Sequence, residues 1–125
     1  MNKEFVPYEQ ALALKELGFD EPCLAYYTDG LPIGYKLVTN FIGQFTNSKL
    51  KNGEVSAPLY QQAFRWFREK YRLTGLIEIG TQEYSFLIFN ENTDSRKITS
   101  SMNGTYEEAE LACLKKLIEL VKQKQ

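Results

Sequence analysis

A chain of 125 residues with 43% hydrophobic and 14% aromatic side chains is long enough, and apolar enough, to bury about two-thirds of its unfolded surface, which excludes general disorder. Fifteen basic and sixteen acidic side chains leave a net charge of −1, so no global field directs it to nucleic acid or anionic lipid. There is no histidine, which removes the commonest general base and most zinc and transition-metal sites and weighs against hydrolase or metalloenzyme chemistry.

In chain order, a first helix is predicted to begin at Pro7 and to stop before Gly18, with Tyr8, Ala11, Leu14 and Leu17 as its apolar stripe. Phe19 is placed to fold back over its last turn. Cys23–Thr28 reads as a strand and Tyr35–Thr39 as a second, with Asp29-Gly30 between them as a hairpin signal that Pro32 and Gly34 weaken. Residues 40–54 give mixed signals. A second helix is expected from an N-cap at Ser56 to about Arg72. Its Tyr60, Phe64, Phe67 and Tyr71 fall within about 60° of one another at helical spacing, which marks Phe64 and Phe67 as core. Leu76–Ile79 and Tyr84–Phe89 form the clearest hairpin, with a short edge strand at Arg96–Thr99. A third helix opens with the capping box Thr105-Tyr-Glu-Glu108, and Tyr106, Ala109, Cys113, Leu117 and Leu120 line its core face.

The order α-β-β-α-β-β-α predicts a single α+β domain over residues 1–125, with three helices packed on a small antiparallel sheet of about four strands. No signal peptide is visible, and no window approaches the ~18–20 apolar residues that span a bilayer, so the expected location is the cytoplasm. Cys23 and Cys113 lie far apart in apolar stretches and read as free buried thiols, with a disulfide as the alternative.

The blocks Asn2–Asp20, Ala57–Lys70 and Thr105–Ile118 resemble a family of small uncharacterised proteins of Bacteroides-type bacteria, met in phage-like or mobile DNA. The resemblance covers the three helices. It implies no activity, no cofactor and no catalytic residue, and it implies variation around residues 28–55 and 76–103.

Two surfaces stand out as candidates. Arg65, Arg68 and Arg72 lie opposite the aromatic stripe of the second helix, with Trp66 on its shoulder beside Lys70. They form either a ridge for phosphate or an acidic partner, or a solvated face with a core-edge tryptophan. On the third helix, Leu111, Leu114 and Ile118 make a second apolar stripe, which calls either for burial between layers or for a second copy in a two-fold dimer. Asn90–Asp94 starts like a calcium loop but has Ser95 where glycine and Ser101 where glutamate is needed, so it is rejected. No catalytic constellation, metal site or cofactor fingerprint is present. The expectation is a non-enzymatic cytoplasmic module acting by protein–protein contact. Weak nucleic-acid binding through the arginine face is the alternative.

Overall fold

Pro7 stands in an extended conformation immediately before α1 (Tyr8–Glu16), and Gly18 ends the helix as its sequence predicts. In the computed structural model, which describes residues 2–30, 34–93, 96–102 and 104–124, Gly18 has a φ of 99°. Glycine enters this left-handed conformation at little cost. The turn lets the Gly18 N–H donate to the Lys15 carbonyl at 3.0 Å and the Phe19 N–H to the Leu14 carbonyl at 2.9 Å. Phe19 is thereby tucked into the core, fully buried. Pro32, Asp94, Ser95 and Asn103 lie outside the described residues.

Strand β1 (Ala25–Asp29) pairs antiparallel with β2 (Tyr35–Thr39) on one side and with β3 (Val55–Ser56) on the other. Ser56, expected as a helix cap, therefore belongs to a strand. The cause lies two residues on, because Pro58 holds Ala57 in an extended conformation and postpones the helix. The extended segment then hydrogen-bonds along its length: the Ala57 N–H donates to Ala25 O and the Val6 N–H to Pro58 O, both at 2.9 Å. Helix α1 packs against β3.

Helix α2 (Tyr60–Tyr71) leads into a second sheet of β4 (Leu73–Ile79), β5 (Tyr84–Asn90) and β6 (Arg96–Met102), all antiparallel in that order. Helix α3 (Tyr106–Gln123) packs on β4 and β5. Its capping box forms, with the Glu108 N–H donating to Thr105 Oγ1 and the Thr105 N–H to Glu108 Oε1, each at 3.1 Å. The closest approach is at Gly75, where an added Cβ would stand 2.8 Å from Cys113 Sγ and 3.2 Å from Leu117 Cδ1. This fixes the face of the sheet that α3 covers: Leu73, Gly75 and Ile77, paired across with Asn90, Ile88 and Phe86, while Ile79 at the end of the same face stays exposed.

The class is α+β, as expected, but the strands are divided between two three-stranded sheets and do not form one sheet of about four. The chain divides into two compact units, Met1–Tyr60 and Gln61–Gln125, with one sheet in each.

Candidate interaction surfaces

Arg65, Arg68 and Arg72 are exposed on α2, where the helical spacing places them. Arg72 Nε lies 3.5 Å from Glu91 Oε2, both side chains facing solvent, and Arg72 itself takes a left-handed φ of 58° to turn the chain from α2 into β4. Arg65 and Arg68 have no carboxylate within ion-pair distance among the described residues. Trp66 does not share their exposure. It is buried, with its ring edge-to-face against Phe67 at 5.2 Å and Tyr71 at 5.4 Å, and Lys70 Nζ sits 5.1 Å from its centre. The candidate face thus reduces to arginines, and the tryptophan belongs to the core edge.

The second stripe on α3 is likewise absorbed. Leu114 and Ile118 are buried and Leu111 half-buried. With Ala109, Cys113, Leu117 and Val121 they make one buried arc about 180° wide, where the sequence suggested two separate stripes. Their apolar character therefore needs no second chain.

The large apolar side chains left in solvent lie elsewhere. Asn40-Phe-Ile-Gly43 forms a tight turn, with the Gly43 N–H donating to Asn40 O at 2.8 Å and the Ile42 N–H to Asn40 Oδ1 at 3.1 Å. Asparagine first and glycine fourth is the signature of a type I turn, and it was available in the sequence. The turn holds Phe41 and Ile42 at its tip, 80% and 89% exposed. Below it, Phe45 packs inward on Tyr26 with centroids 4.7 Å apart. The segment 34–53 that carries this tip contains Lys36, Lys49 and Lys51, and the carboxylates of Asp20 and Glu54 accept from its Ser48 and Lys51 N–H groups at 2.7 and 2.9 Å.

A second open patch lies in the other unit. Ile79, 75% exposed, pairs across the sheet with Tyr84, whose ring meets Tyr106 edge-to-face at 5.8 Å. Tyr106 is itself exposed. Its phenol is pushed up by partial burial and then by the charges of Glu110 and Glu107. Glu110 is raised in turn, first by burial and then by Glu107.

A third aromatic group has Tyr8 stacked on Tyr35 at 3.5 Å and edge-on to Tyr27 at 5.6 Å, with Tyr35 itself exposed. The hydrogen bond with Tyr35, followed by partial burial, pushes the Tyr8 phenol to about 12. The two thiols are free and buried; burial pushes Cys23 to about 11 and Cys113 to about 12, so neither is an activated nucleophile. Among the described residues no group of three or more His, Cys, Asp or Glu is placed to hold a metal, and no helix is long and apolar enough to cross a membrane. Comparison with protein-family models, curated proteins and solved structures finds no match.

Proposed function

We propose that this chain is a non-enzymatic binding module that acts by protein–protein contact in the cytoplasm. The observation that supports this most is the Asn40–Gly43 turn, which projects two adjacent large apolar side chains into solvent. A folded chain gains nothing from such a projection in isolation, whereas an apolar pair on a hydrogen-bonded turn suits insertion into a partner surface. Cross-linking of the tagged chain in its host, followed by mass spectrometry, tests the reading. The expected result is a protein cross-linked to the parent and lost from Phe41→Ser with Ile42→Ser; an unchanged cross-link pattern contradicts it.

A second reading rests on Arg65 and Arg68, one turn apart on an exposed face without carboxylate partners among the described residues. Such a pair suits phosphate, and a mobile-DNA setting would give it a use. Two arginines and Arg72 supply too few contacts for tight binding, so any retention on DNA is expected to be weak and to fall steeply with salt. Retention unchanged by Arg65→Glu with Arg68→Glu contradicts this reading.

A further inference from the structure

Tyr8 at the start of α1 and Tyr35 at the start of β2 lie ring on ring, with centroids 3.5 Å apart and planes 12° from parallel. This is nearer a face-to-face sandwich than the offset or edge-on packing that aromatic pairs prefer. The two phenol groups hydrogen-bond each other, so the rings stack head to head and the ring carbons beside the hydroxyls face one another. Tyr35 is 51% exposed and Tyr8 half-buried, so solvent reaches the pair. The contacts of Tyr8 with Tyr27 and of Tyr84 with Tyr106 are edge-on, at 89° and 88°, and bring no such carbons face to face. We propose that Tyr8 and Tyr35 are an oxidative modification site, joined as dityrosine by a one-electron oxidant such as the oxidised haem of a peroxidase.

Each phenol gives one electron to the oxidant and its hydroxyl proton to solvent, which leaves a pair of phenoxyl radicals. The unpaired electrons combine in a new carbon–carbon bond between the facing ring carbons. The hydrogen on each of those carbons then passes, through solvent, to its own oxygen, and both rings become aromatic again. At the haem, the electrons and the released protons convert hydrogen peroxide to water. Stacking decides which tyrosines react, because partners already in contact couple in a unimolecular step, whereas separate chains must first meet in solution.

The bond ties α1 to β2 inside the compact unit Met1–Tyr60 and closes a loop of chain between them. In the chain-entropy account, closing such a loop removes freedom from the unfolded state, as a disulfide does. Unlike a disulfide, a carbon–carbon bond withstands thiol reductants. Strand β2 runs directly into the Asn40–Gly43 turn, so the clamp holds the strand that carries Phe41 and Ile42. The modification goes beyond the binding reading and does not depend on it.

Treatment of the dilute full chain with a haem peroxidase and hydrogen peroxide tests this. The expected product runs as a monomer on a denaturing gel, shows dityrosine fluorescence and is lighter by two hydrogen atoms. Its peptide map joins the peptide containing Tyr8 to the one containing Tyr35. Tyr8→Phe and Tyr35→Phe keep the ring and remove the hydroxyl. Each should retain the helical signal and lower the intramolecular product about tenfold or more, while Tyr84→Phe leaves it unchanged. The joined chain should unfold at a higher urea concentration than the parent. Absence of dityrosine in the parent, a cross-link between other tyrosines, a product formed only between chains, an undiminished yield in the Tyr8 and Tyr35 variants, or an unchanged urea midpoint overturns the proposal. None of these outcomes bears on the tip-dependent cross-links that test the binding reading.

Discussion

At Gly75 one methyl group decides how closely β4 approaches α3. A Cβ there would sit 2.8 Å from Cys113 Sγ, closer than such atoms approach without movement. Gly75→Ala is expected to cost about 1–3 kcal/mol through overpacking. Cys113→Ala in the same chain removes the opposing sulfur, so the double variant should lose less stability than the two single losses combined. Strictly additive losses in urea would place the contact elsewhere. Glu110 offers a test by pH. Burial raises its pKa in the folded state, so the native chain holds this proton more firmly than the unfolded chain does. Its contribution is then favourable below the ordinary carboxylate range and is lost as pH rises through the folded pKa. Glu110→Gln should stabilise the protein at about pH 7 and make little difference near pH ~3, where both states carry the proton. A larger benefit in acid than at neutrality would contradict this assignment.

Helix α2 shows how a helix can be legible while its orientation is not. The spacing of Tyr60, Phe64, Phe67 and Tyr71 located the helix, but the buried arc is Tyr60, Ala63, Trp66 and Phe67, turned by about 60° from that stripe. Phe64 is only half-buried. Ring size dominates a pattern read from sequence, whereas packing also rewards a small residue such as Ala63 that permits close approach. Phe67→Ala should therefore cost about 3–5 kcal/mol and Phe64→Ala only roughly 1–2 kcal/mol. Equal urea midpoints would restore the stripe suggested by spacing. The β4–β5 hairpin, the Gly18 stop and the Thr105 capping box were legible because local chemistry determines them. Strand β3 was not, since two residues acquire strand character only from their partner β1. Nor was the separation into two sheets, because pairing between distant strands leaves no local mark. For the candidate surfaces, the arginines were found and the tip was missed, although Asn40 and Gly43 announce its turn.

At the scale of the molecule, each compact unit contains one buried thiol, Cys23 in Met1–Tyr60 and Cys113 in Gln61–Gln125. Both are held protonated by burial, so a thiol reagent at about pH 8 should reach them only when the surrounding unit opens. Labelling followed by peptide mapping then measures the opening of each unit separately. Reaction of either thiol at the rate of an unfolded chain would contradict its burial. The central claim is that Phe41 and Ile42 serve contact and not folding. Equilibrium urea unfolding of Phe41→Ser with Ile42→Ser, at a concentration low enough to keep the chain monomeric, tests it most directly. The predicted change in stability is below about 0.5 kcal/mol, as for exposed positions, and a loss of about 2 kcal/mol or more, as for a core truncation, would contradict the claim.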